Sequence, residues 1–115
     1  MLDFCGTLCR RHDRDRFVIS LRARPAVRPA LWALYALNYE IARTREVVTD
    51  PPLGRIRLQW WREAVDEALR PDNPQFHHEI LRILAPYAHT YGLAREQFHA
   101  LIDAREADMQ PGAVS

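Results

Sequence analysis

The chain has 115 residues, 48% of them apolar, and a formal net charge of +1. That length allows one domain at most, with a modest core, and the apolar fraction excludes wholesale disorder. Near-neutrality supplies no electrostatic case for nucleic acid or for an anionic bilayer.

All sixteen basic residues are arginine. A GC-rich genome explains this more simply than selection for guanidinium chemistry. No apolar run reaches the ~18 residues of a membrane span. Leu2 to Cys9 is too short for a signal peptide, and the charged run RRHDRDR follows it at once.

In chain order, Asp3 can cap a first short helix that runs to about Arg11, with Phe4, Leu8 and Cys5 facing inward. Cys5 and Cys9 lie four apart on that helix. A disulfide there has poor geometry and no further zinc ligands are spaced to join them, so buried, reduced thiols in a cytoplasmic protein are expected. Asp13 can cap or restart the chain into a segment whose apolar set is Phe17, Val18 and Leu21. Pro25 and Pro29 mark the entry to a long helix over 26–48, since proline suits a first turn. Its inward residues are Leu31, Leu34, Tyr35, Leu37, Ile41 and Val48, and the alanines between them allow close packing. Asp50-Pro51-Pro52 stops it.

A second long helix spans 53–69 and shows two apolar stripes. Leu53, Ile56, Trp60 and Ala64 form one; Leu58, Trp61, Val65 and Ala68 form the other. Two stripes imply packing on more than one neighbour. After a turn at 70–74, a helix over 77–91 turns Ile80, Leu81, Leu84 and Ala88 inward. Pro86 should kink or split it, and Gly92 should end it. The last helix, 94–109, uses Phe98, Leu101 and Ile102, and Pro111-Gly112 terminates it. The fold class is all-α.

Two segments carry candidate chemistry. In RRHDRDR, Arg10, Arg11, Arg14 and Arg16 could grip a diphosphate through bidentate, charge-assisted bonds. Alternatively, Asp13 and Asp15 neutralise them in a solvated junction, the blander reading. On the first long helix Glu46 and Asp50 are i,i+4 neighbours, but Arg43 and Arg45 flank them, so ion pairing is expected ahead of metal binding. Trp60-Trp61 could line a prenyl pocket, although plain core is the commoner use of such residues. No HExxH, GxSxG, Walker or GxGxxG pattern is present.

The run LWALYALNYEIARTREVVTDPPLGRIRLQWWREAVD, from Leu31 to Asp66, resembles the N-terminal part of the squalene/phytoene synthase family. The likeness extends from Cys9-Arg10-Arg11 to Leu101–Met109. It implies the N-terminal part of an isoprenoid-synthase-type helical bundle, with residues 1–115 holding less than half of a family domain. Active members hold magnesium and prenyl diphosphates on two aspartate-rich motifs. The resemblance puts the first motif on Ala42 to Glu46. Ala42 and Arg43 then stand where two aspartates lead it, and Glu46 alone keeps a carboxylate. Tyr39 stands where an arginine commonly touches diphosphate, and the second motif would lie beyond residue 115.

A narrower likeness is carried by Ala36 to Ala42, by Gly54 to Trp61 and by Asp103-Ala104-Arg105-Glu106. These resemble a branch of the same superfamily that assists assembly of mitochondrial complex I. The implied protein is catalytically degenerate, with no catalytic or metal-ligating residues. Its partner would be a subunit of respiratory complex I or an isoprenoid or other lipid, and it would lie in the cytoplasm or peripherally at the inner membrane. Arg10, Arg11, Arg14 and Arg16 would be its diphosphate contacts. The alternative is an active prenyltransferase that uses magnesium in a rearranged site.

Overall fold

In a computed structural model, which describes residues 2–47 and 51–108, the chain forms six α-helices and no strand among those residues. They are α1 (Phe4–His12), α2 (Arg14–Ser20), α3 (Arg28–Val47), α4 (Pro51–Ala68), α5 (Glu79–Tyr91) and α6 (Arg95–Asp108). The 20-residue α3 is the axis of the bundle and touches each of the other five helices. The molecule measures 42 × 36 × 19 Å, so its short dimension holds about two helix diameters.

Local sequence explains most of the boundaries. The Asp3 carboxylate caps α1 by accepting from the Gly6 N–H at 2.7 Å. Asp13 precedes α2 but makes no side-chain cap, because its carboxylate is taken by Arg16 at 3.2 Å. Entry to α3 lies two residues later than expected, after a turn through residues 25–27. Pro51 and Pro52 open α4, the first-turn position where a missing N–H costs nothing. Whether they also stop α3 lies outside the described residues, as do Val48, Asp50 and Pro111-Gly112. At α5 the cap is His78, whose Nδ1 accepts from the Ile80 N–H at 3.1 Å. Gly92, at φ 69°, closes that helix in the left-handed conformation.

The core lies along the small-residue face of α3. Ala33, Ala36, Leu37 and Ile41 are buried against Leu58, Trp61, Val65, Ile80, Leu84, Phe98 and Ile102. Alanine at 33 and 36 lets neighbouring helices approach closely, and each fully buried Leu or Ile contributes about 1.5–3 kcal/mol. Leu31, Leu34 and Tyr35 are only half-buried, on the flanks of this central helix. Trp32, absent from the expected inward set, is buried. Its indole N–H donates to Ser20 Oγ at 2.8 Å, and that hydroxyl donates to the Phe17 carbonyl at 2.5 Å. One side-chain bond therefore pins α2 to α3 in an apolar setting, where leaving either group unpaired would be costly.

Several expected inward residues face out. Phe4 is exposed while Cys5, Gly6 and Cys9 take the buried side of α1, because a Cβ at Gly6 would lie 2.7 Å from the Trp32 ring. Close approach of α1 to α3 selects the small residues for the contact. Val18 and Leu21 are exposed, leaving Phe17 to pack on Trp32 at 5.9 Å between ring centroids. On α4 only the Leu58–Trp61–Val65–Ala68 stripe is covered; Leu53, Ile56 and Trp60 are exposed, with Ala64 buried at the margin. Leu101 is exposed on α6. Pro86 does not split α5, which runs unbroken from Glu79 to Tyr91. Pro86 lies on the exposed face, where the carbonyl it leaves unpaired can be hydrated.

No helix of the described residues is long and apolar enough to cross a membrane. Cys5 and Cys9 are free and buried; burial pushes their thiols up to about 12 and about 11.

Candidate functional site

The charged junction between α1 and α2 and the Tyr35–Arg43 face of α3 meet in one place. Tyr35, Tyr39 and Arg43 recur every four residues and form a column on one face of α3. His12, the last residue of α1, stacks on Tyr39 with ring centroids 4.7 Å apart and planes inclined by 15°. The Arg16 guanidinium lies 5.7 Å from the Tyr35 ring centre, and that of Arg43 lies 5.8 Å from Tyr39. Arg43 also pairs with Glu40 at 3.4 Å. Cation–π contact and stacking thus engage the groups that a ligand would otherwise meet.

The four arginines of the junction are separated by this geometry. Arg16 is turned to Asp13 and Tyr35. Arg11 lines an open groove of about 270 Å³ together with Phe4, Thr7, Leu8 and His12. Arg10 and Arg14 are exposed. Arg10 and Arg11 fall in the last turn of α1, where a cation favours the helix dipole. They do not converge into a single clamp.

Of the positions on which the resemblance puts the first aspartate-rich motif, Ala42 is half-buried and Arg43 is committed to Glu40 and Tyr39. Glu46 belongs to α3, and its side chain lies outside the described residues. A magnesium ion between diphosphates wants several free carboxylates converging from facing helices. The described residues of this face supply one, Glu40, already neutralised by Arg43, and no group of three acidic, histidine or cysteine side chains converges among the described residues. Among the described residues, the donors on this face do not make a set that fits the ion.

Trp60 and Trp61 have separate fates. Trp61 is 4% exposed, lies in the core and approaches the His78 ring at 5.2 Å, whereas Trp60 is 40% exposed and meets Trp61 edge-on at 5.0 Å. The space between α4, α5 and α6, lined by Val65, Leu84, Phe98 and their neighbours, is about 10 Å³. That is room for one water and no prenyl chain.

The Asp103–Glu106 run takes part in clamps between helices. Arg62, directly after the tryptophan pair, donates from Nη2 to Asp103 and to Glu106, both at 2.7 Å. Burial opposes its charge, but the hydrogen bonds to the two carboxylates outweigh that and raise its pKa. Arg105 reaches Asn38 on α3 at 3.5 Å. Asp66 on α4 accepts from Arg95 at 2.8 Å and contacts His99 Nε2 at 2.8 Å. Burial would raise its pKa, yet hydrogen bonds from Arg95 and His99 hold it below the ordinary value. His77 adds a 3.0 Å contact to Glu67. Sequence reasoning did not find Asp66, His99 or the role of Arg62; their spacings of 33 and 41 residues carry no local periodic signal.

The profile of the squalene/phytoene synthase family matches residues 9–114. Among curated proteins, NADH dehydrogenase (ubiquinone) complex I, assembly factor 6 of Bos taurus is 28% identical over 110 residues. The Homo sapiens protein of the same name is 26% identical over 110 residues, and the Drosophila melanogaster homolog 27% over 106. The first two alignments cover 96% of this chain and 32% of the relative, so the chain spans about a third of the length of the curated relatives it matches. No solved structure gives a significant match.

Proposed function

Because this chain belongs to the squalene/phytoene synthase family, we propose that it comes from a catalytically degenerate member that assists the assembly of respiratory complex I. The observation that carries the reading is the aromatic–arginine column of α3. Where the resemblance puts the leading aspartates, Arg43 is spent on Glu40 and Tyr39, and His12 covers Tyr39 from the other side. Ionisation of an allylic diphosphate needs metal to offset charge on the leaving group, a contribution of several kcal/mol. Arginines can bind such a group but cannot reproduce a cluster of divalent ions. The relatives named as complex I assembly factors support the direction of the assignment, since they match across nearly the whole chain.

Under this reading Arg11 and the groove along α1 are what remains for an isoprenoid diphosphate or other lipid ligand. Two measurements on the protein of the whole open reading frame test the proposal. The first supplies labelled farnesyl and geranylgeranyl diphosphate with magnesium, and compares the natural protein with an Ala42→Asp/Arg43→Asp variant. The second deletes the gene and measures assembled complex I on native gels. No product and a loss of complex I are expected. Squalene or phytoene formed by the unmodified protein at an ordinary enzymatic rate would overturn the degenerate reading. Undiminished complex I after deletion would overturn the assembly role.

A further inference from the structure

We propose that the exposed face of α4 is a docking surface for a second protein, one that receives the helix in an apolar groove with an acidic edge. Leu53, Ile56 and Trp60 stand on this face at 56%, 66% and 40% exposure. Their spacing of i, i+3 and i+7 aligns them along two turns, the anchor pattern by which a helix fills a groove on a partner. Single exposed apolar residues are ordinary, but a row of three marks a contact surface.

The row is held in place before contact. On another side of α4, Arg62 and Asp66 tie the helix to α6 through Asp103, Glu106, Arg95 and His99. Trp60 meets the buried Trp61 edge-on, with ring centroids 5.0 Å apart. Docking therefore has little freedom left to remove from the helix or its aromatic anchor.

Charge decides the occupant. No acidic residue stands in the first turn of α4 to offset the positive end of the helix. Arg55 and Arg57 follow, and no ion pair engages either among the described residues. Arg57 lies about 60° around the helix from Trp60, on the margin of the row. An acidic edge on the groove would meet it there and fix the register of the complex. Other occupants fit less well. Glu63, one turn beyond Trp60, is exposed on the same face, and an anionic bilayer would repel it. In a second copy of this chain the open groove along α1 carries Arg11, so like charges would meet. The surface does not rest on the complex I assignment: a partner from outside complex I would leave the surface standing, and failure of the surface would leave the assignment standing.

Photocrosslinking in cells provides the test, with Ile56→benzoylphenylalanine in the whole protein and Tyr91→benzoylphenylalanine, exposed at the end of α5, as the control. Position 56 is expected to yield an adduct with one other protein, on a segment that carries Asp or Glu beside apolar residues. With that protein purified, Leu53→Ser/Ile56→Ser should weaken binding at least about tenfold at an unchanged melting temperature. Arg57→Glu should weaken it about tenfold and flatten its dependence on salt. Tyr91→Ser should leave binding intact. The proposal is overturned by adducts of position 56 with lipid, with a second copy or within the same chain, or by none beyond those at position 91. A partner segment without acidic residues, or binding indifferent to either α4 variant, would overturn it as well.

Discussion

Arg62 on α4 donates from both Nε and Nη2 to a single oxygen of Asp103 on α6, at 3.2 and 2.7 Å across 41 residues of sequence. Glu106, one turn along α6, takes the same Nη2 at 2.7 Å. The Arg62 side chain is 16% exposed, while that of Asp103 is 66% exposed. The family-like Asp103–Glu106 run therefore locks α6 onto α4, and Arg105 extends the lock to Asn38 on α3.

Replacing Arg62 with alanine leaves two carboxylates facing each other and removes the apolar stem from the α4–α6 seam. A loss of about 1–2 kcal/mol is expected, modest because Asp103 is solvated. Arg62→Lys should recover less than half, since a single ammonium cannot present the guanidinium fork. Urea midpoints of the three proteins decide this; identical midpoints would show the clamp to be energetically idle.

Gly6 sits where α1 crosses Trp32, with 2.7 Å between an added Cβ and Cε3 of the ring and 3.0 Å to Cδ2. Helix propensity alone would make Gly6→Ala stabilising by roughly 1 kcal/mol. Overpacking against a ring held by its bond to Ser20 reverses that, and a net loss of about 1–3 kcal/mol is expected. Thermal melting of Gly6→Ala tests the sign. A raised melting temperature would mean that α1 can slide away from α3 at little cost.

The adjacent tryptophans should differ in solvent access. In Trp60→Phe and Trp61→Phe backgrounds, iodide quenching should be strong when Trp60 remains and weak when Trp61 remains. Trp61 at 4% exposure is shielded by α3 and α5, while Trp60 at 40% is not. Trp32, also buried, adds a constant unquenched background. Equal quenching of the two variants would contradict the packing of α4.

Acid should destabilise the fold partly through Asp66. Its carboxyl lies below the ordinary value of 3.8, held there against burial by Arg95 and His99. A carboxyl with a lowered folded pKa stabilises fully above its unfolded pKa and loses that contribution as pH falls through the folded one. Asp66→Asn should thus lower stability near neutrality and narrow the gap to the natural protein below about pH 4. Urea unfolding across that range gives the measurement. A constant gap at every pH would assign the effect to shape and not to charge.

Much of the architecture was legible from residue order alone. Helical periodicity marked all six helices or their neighbourhoods, Asp3 and Gly92 signalled their caps, and Ile80, Leu81, Leu84 and Ala88 were read on the correct face of α5. These features depend on interactions within a turn or two, which neighbouring residues determine. The same holds for the composition of the motif region, where Ala42 and Arg43 are visible as letters. What periodicity could not decide was which of two apolar stripes on α4 would be covered, or that Gly6 and Cys9 would displace Phe4 from the α1 contact. Those outcomes depend on how closely α3 lets its neighbours approach. The stacking of His12 on Tyr39 and the closing of Arg62 on Asp103 and Glu106 join residues 27, 41 and 44 positions apart. Only tertiary packing sets such long-range pairs, since their geometry follows from the crossing of helices and not from any helix by itself.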